Sequence, residues 1–119
     1  HATGSGKTFT AILAIREHAS HGLPSLVLVP SRLLLTQWAR ELRDEVPDAV
    51  FLLAGTGHDR WRAPQRLKSM TDAAPELGPR IVLATMQTAA SDEFRQNVLS
   101  GAHLLIVADE VHQIGSPQN

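Results

Sequence analysis

Four short runs of branched aliphatic residues set the strongest limit on how this chain can fold. They lie at residues 26–29, 50–53, 81–84 and 104–107, each rich in Val, Ile and Leu and none alternating with polar residues. Strands buried on both faces have that composition, which a parallel sheet covered by helices requires. The stretches between the runs carry helical patterning, so the expected fold is α/β, a doubly wound, mostly parallel sheet with helices on both faces. A first helix is expected over about residues 8–20, where Ile12, Ile15 and Ala19 share one face and Gly22 can serve as the stop. A second begins after Pro30 with Ser31 as its cap, buries Leu35, Trp38, Ala39 and Leu42, and stops near Pro47. A third is expected over residues 91–99. Residues 55–80 carry three prolines and three glycines and read as a long connection with one helical segment at 65–70.

Composition narrows the functional classes. A chain of 119 residues, 43% hydrophobic and 19% charged, suits a single soluble core. The absence of cysteine excludes disulfides and cysteine-based zinc sites and fits a cytoplasmic setting. No apolar run approaches the ~20 residues that span a bilayer, so no membrane partner is expected. A net charge of -1 is not the footprint of a protein that grips nucleic acid by bulk charge. Any such contact must come from locally placed donors.

The segment Ala2-Thr3-Gly4-Ser5-Gly6-Lys7-Thr8 has the chemistry of a phosphate loop. Wrapping a triphosphate requires backbone amides that turn inward, and Gly4 and Gly6 permit the turn without a Cβ in the way. Lys7 can reach the β and γ phosphates, and the Thr8 hydroxyl can ligate Mg2+. A helix starting at once would aim its positive end at the anion. The general pattern places a glycine where His1 stands, which is a departure. The fourth aliphatic run ends in Asp109 and Glu110. Ligands of open α/β sheets bind outside the carboxyl ends of the strands, so these carboxylates arrive where phosphates would sit. Asp109 would hold magnesium through water, and Glu110 would orient the attacking water for hydrolysis. The plainer reading is a pair of solvated carboxylates where a strand ends.

Together these segments resemble the superfamily-two helicases. ATGSGKT resembles motif I, in which the first glycine of the general pattern is often relaxed. LVPSRLLLTQW resembles motif Ia, VLATMQT motif Ib, and Asp109-Glu110-Val111-His112 a DExH box. Order and spacing agree with the family across nearly the whole chain, and ADEVHQIGSP is similar to the XPB-like and restriction-type branch. The resemblance implies a RecA-like first ATPase lobe that covers motifs I to II and works against a second lobe of the same parent chain. Thr3, Gly4, Ser5, Gly6, Lys7 and Thr8 would bind ATP, Thr8 and Asp109 the Mg2+, with Glu110 and Lys7 catalytic. His112 would couple nucleotide state to movement. Ser31, Arg32, Thr85 and Gln87 would contact the backbone of a bound strand, DNA in preference to RNA, without reading sequence. A helix cap, a surface arginine and polar loop residues are the plainer account of those four. The family pattern also leads one to expect a strand before the phosphate loop, and an isolated lobe of this extent is expected to hydrolyse ATP poorly.

Two other functional classes fit parts of the sequence: a P-loop NTPase that does not act on nucleic acid, and a non-catalytic ATPase-like domain. The DExH box tells against the first, and intact Lys7, Thr8, Asp109 and Glu110 against the second. The loop 57–62, with arginines beside Trp61, could stack on bases, but a solvated connection with Trp61 tucked onto the body is favoured. His18, His21 and His103 lack ligand-like grouping, and His58 with Asp59 lacks a third ligand.

Overall fold

The computed structural model describes residues 2–109, with side chains from Phe9 onward. In chain order the elements are α1 (Ala2–Ser20), β1 (Pro24–Val29), α2 (Arg32–Glu45), β2 (Val50–Ala54), α3 (Arg66–Thr71), β3 (Arg80–Thr85), α4 (Met86–Ala89), α5 (Asp92–Asn97) and β4 (Leu105–Ala108). Short 3₁₀ turns at Arg60–Arg62 and Pro75–Leu77 flank α3. The four strands form one sheet in the order β2-β3-β1-β4, every pair parallel. This is the α/β arrangement that the unalternated aliphatic runs demand, and each run lies within two residues of its strand.

Successive strand residues point to opposite faces, and each face has its own core. Val27, Val29, Ile81 and Leu83 pack with Ile12, Ile15 and Ala19 of α1 and with Leu35, Trp38, Ala39 and Leu42 of α2. Leu26, Leu52, Ala54, Val82 and Ala84 pack on the other side with Leu67 and Met70 of α3, Phe94 of α5, and Trp61. Trp61 is buried, edge-on to Phe94 with ring centroids 5.3 Å apart. The body-packed reading of that residue therefore holds. The two edge strands depart from two-sided burial: Val50 of β2 is 56% exposed, and in β4 Ile106 is 51% exposed and Ala108 is exposed as well.

Ser31 caps α2 as expected, its hydroxyl accepting from the Leu34 amide at 3.3 Å. α1 differs from the sequence reading. It begins at Ala2 rather than near Thr8, so the backbone of the expected phosphate loop continues the helix. Residues 2–7 contain no proline, and each glycine in a helix costs only about 1 kcal/mol relative to alanine, so steric rules do not stop the helix at Thr8.

The amino end of the sheet is fastened by Arg80, the first residue of β3 and only 3% exposed. Its Nε donates to the Gly78 carbonyl at 2.9 Å. Nη1 donates to the carbonyls of Ser69 and Asp72, both at 2.8 Å. Nη2 donates to those of Gly22 at 2.9 Å and Ala74 at 3.1 Å. A guanidinium has five N–H donors, and all five are used. Burial lowers the Arg80 pKa, a pull that Asp72 and Glu76 oppose. Nearby, Gly22 has φ of +72°, and a Cβ there would lie 2.7 Å from the Pro75 carbonyl oxygen. The turn into β1 therefore needs glycine on two counts.

Candidate nucleotide and nucleic-acid rim

Because all four strands run the same way, their carboxyl ends share one rim. β1 ends at Val29 beside Thr85 of β3, and Leu28 pairs with Ala108 of β4. Ser31 and Arg32, Thr85 and Gln87, and Asp109 thus emerge next to one another, with the loop after β2 beyond Thr85. Across the rim the order is loop 55–59, Thr85, Ser31, Asp109. It spans roughly 14 Å, three inter-strand steps of about 4.8 Å. α1 leads through a short turn into the amino end of β1 and packs along the sheet, which directs its first turns toward the same rim.

Asp109 is half-buried, and its contacts include one from its backbone and one from its side chain. Its amide donates to the Leu28 carbonyl at 2.8 Å, carrying the ladder one residue past β4. Its Oδ2 accepts from the Trp38 indole Nε1 at 2.8 Å, across 71 residues of sequence. Trp38 lies in the apolar stripe of α2 and is only 5% exposed. A buried indole must place its N–H, and here the carboxylate at the strand end is an acceptor. The sequence reading gave Trp38 a packing role alone. The signal was available: a donor-bearing ring in an otherwise aliphatic stripe.

The backbone-contact candidates are disposed as follows. Ser31 is exposed, and its hydroxyl is engaged as the α2 cap. Thr85 caps α4, accepting from the Thr88 amide at 3.3 Å and donating to Thr88 Oγ1 at 3.1 Å. The plainer account of both hydroxyls is therefore realised, although a hydroxyl keeps further hydrogen-bonding capacity beyond a cap. Arg32 and Gln87 are exposed on the rim. Gly55 lies between the elements: a Cβ there would approach Thr85 Cγ2 to 3.3 Å and Leu35 Cδ2 to 3.4 Å. The side chains of Thr3, Ser5, Lys7 and Thr8, and all of Glu110 and His112, lie outside the described residues.

The histidines behave as packing residues. His18 Nε2 donates to the His103 carbonyl at 2.6 Å, and His103 Nε2 donates to the Thr71 carbonyl at 2.8 Å. His21 is exposed beside Glu17. No group of three metal-ligating side chains occurs among the described residues. No helix among them is long and apolar enough to cross a membrane.

Comparison with known proteins gives the chain's family and relatives. The family described as "Type III restriction enzyme, res subunit" matches residues 1–119. The chain is 34% identical over 114 residues to a protein named putative DNA 3'-5' helicase Rad25 from Haloarcula marismortui, covering 96% of this chain and 16% of that protein. It is 31% identical over 114 residues to putative helicase 055L of Frog virus 3, covering 96% of this chain and 22% of the viral protein. It is also 31% identical over 113 residues to the uncharacterized ATP-dependent helicase YqhH of Bacillus subtilis, covering 93% and 17%. The chain thus spans about a fifth of the length of the curated relatives it matches. No solved structure matches it.

Proposed function

Since the chain belongs to the type III restriction enzyme res-subunit family, as the first lobe of a superfamily-two helicase of the XPB-like or restriction-type branch, we propose that it binds and hydrolyses ATP to drive movement along nucleic acid, DNA in preference to RNA. The observation that carries this reading is the placement of Asp109: a half-buried carboxylate at the carboxyl end of a parallel strand, held by an indole N–H. The Trp38 hydrogen bond fixes Asp109 Oδ2 at the strand end, and a carboxylate oxygen held there suits a hydrated magnesium ion and its preference for hard oxygen ligands. Magnesium held by Asp109 and Thr8 would supply positive charge against the phosphates of ATP. Lys7 would neutralise the β and γ phosphates, and Glu110 would orient water for in-line attack. The glycines at 4 and 6 would let residues 2–7 leave the helix and turn their amides to the phosphates.

Ser31, Arg32, Thr85 and Gln87 follow β1 and β3 on the same rim, so a strand lying across the sheet ends would reach all four while its bases remain unread. The word DNA in the name of the Haloarcula relative favours DNA as the track. The test is the ATPase rate of the full-length protein with duplex DNA, single-stranded DNA, RNA and no nucleic acid, beside Lys7→Ala. Stimulation by DNA that vanishes in Lys7→Ala is expected. Activity indifferent to every nucleic acid would return the protein to the other P-loop NTPases, and none at all would make it architectural.

A further inference from the structure

We propose that the arginines along the β2 edge form a second phosphate-backbone site, which extends the nucleic-acid track beyond Ser31, Arg32, Thr85 and Gln87. Beside β2 lies a cavity of about 420 Å³ whose lining includes Arg43, Arg60, Arg66, His58, Phe51 and Asp59. Three arginines therefore line one open cavity, and none of them makes an ion pair among the described residues. Arg16 pairs with Glu45, Arg62 with Asp59 and Glu93, and Arg95 with Asp92, whereas Arg32 and Arg40, like the cavity arginines, make no ion pair among the described residues. Asp59, the one carboxylate in the lining, lies 3.4 Å from Arg62. The cavity is left with uncompensated positive charge on a protein whose net charge is -1. Three like charges held around one cavity with a single carboxylate favour an anion between them.

The wall is built to present these groups. The Arg43 guanidinium lies over the Phe51 ring, 5.4 Å from its centroid, a cation–π contact that settles the long side chain against the sheet edge. Gln65, immediately before Arg66, is the one non-glycine residue with positive φ among those described, at +66°. Such backbone is strained and tends to collect at binding sites. The cavity also joins the rim: a Cβ on Gly57, in the loop that lines it, would lie 3.9 Å from Arg32 Nη1. Cations therefore run from Arg32, past Gly57, to Arg60, Arg66 and Arg43. An extended row of this kind, open to solvent, fits a phosphodiester chain better than one small anion, because each phosphate neutralised along it releases counterions.

This inference rests on the nucleic-acid reading above, and the experiment separates the two. Binding of fluorescent duplex and single-stranded oligonucleotides to the full-length protein is followed by anisotropy from low to moderate salt. The variants are Arg43→Gln/Arg60→Gln/Arg66→Gln and the milder Arg60→Gln/Arg66→Gln, which keeps the Arg43 contact with Phe51. The control Arg40→Gln/Lys68→Gln/Arg95→Gln removes as much charge from positions outside the cavity. The triple variant is expected to weaken duplex binding by about tenfold or more and to flatten the salt dependence by about one unit per arginine, with the double variant in between and the control near wild type. Unchanged affinity and slope in the triple variant, or an equal loss in the control, would overturn the site while leaving the motor reading intact. A wild-type protein that binds no nucleic acid overturns both.

Discussion

The two ends of the sheet are built on opposite principles. At the amino end, polar groups are spent on the protein itself: Arg80 places all five N–H donors on backbone carbonyls drawn from three turns and α3. Thr71 adds to this, its hydroxyl donating to the Leu67 carbonyl at 2.8 Å and accepting from the Leu99 amide at 2.9 Å. At the carboxyl end, Arg32, Arg60 and Gln87 are exposed, and Asp109 is only half-buried. The amino end thus stiffens a scaffold whose carboxyl end leaves charged groups facing outward, where the proposed ligands would bind. A parallel sheet makes this division possible because it gathers every strand's carboxyl end on one side.

The largest break in that comparison comes from Arg80→Met. It would keep part of the buried stem but leave the carbonyls of Gly22, Ser69, Asp72 and Gly78 without the Arg80 donor, while Ala74 keeps the Leu77 amide, and each buried group left unsatisfied costs about 1–3 kcal/mol unless water reaches it. Partial solvation brings the expected loss of unfolding free energy to about 3–5 kcal/mol, read from urea denaturation. Nucleic-acid affinity of the molecules that remain folded should be nearly unchanged. A loss under about 1 kcal/mol would mean the amino end is not held as its hydrogen bonds suggest.

Arg80 also marks where sequence reasoning stopped. The strands were legible within two residues because two-sided burial leaves an unbroken aliphatic run, and α2 was legible from Ser31 and its stripe. Nothing in Pro79-Arg80-Ile81 announces a buried cation, because its partners are main-chain carbonyls, which every residue type carries. The Trp38–Asp109 contact was half legible: the donor could be seen, but its acceptor lies 71 residues away. The phosphate loop is expected from the freedom of Gly4 and Gly6 and the chemistry of Lys7 and Thr8, whereas the backbone there is helical, and a glycine permits a loop without imposing one.

A smaller effect on stability, with a larger one on function, is expected at the other end of the sheet. Trp38→Phe would keep most of the buried ring and remove the N–H that holds Asp109 Oδ2. A hydrogen bond to a charged acceptor contributes about 1.5–3 kcal/mol, and half-burial of Asp109 reduces this, so the stability loss should be near 1 kcal/mol. Groups that orient a metal ligand typically contribute 10–100-fold to metal affinity. Calorimetric titration of ATP into the full-length protein, with and without magnesium, should therefore show the magnesium-dependent gain in affinity falling about tenfold while magnesium-free binding holds. A gain identical to wild type would reduce the indole to packing and weaken the contrast between the two ends.

The finest test lies within the fastened half. Ser25 is fully buried in β1, paired with Ile81 on one side and Leu105 on the other, and its hydroxyl has no hydrogen-bond partner among the described residues. If the amino end owed its firmness to polar groups in general, Ser25→Ala should weaken it. An unpartnered buried hydroxyl instead carries a desolvation cost with no return, so its removal should leave stability within about 0.5 kcal/mol of wild type or raise it slightly. Urea denaturation beside Arg80→Met would resolve the two. A loss above about 1 kcal/mol would reveal a partner for the Ser25 hydroxyl, and the fastening would then extend from the Arg80 hub into the strands themselves.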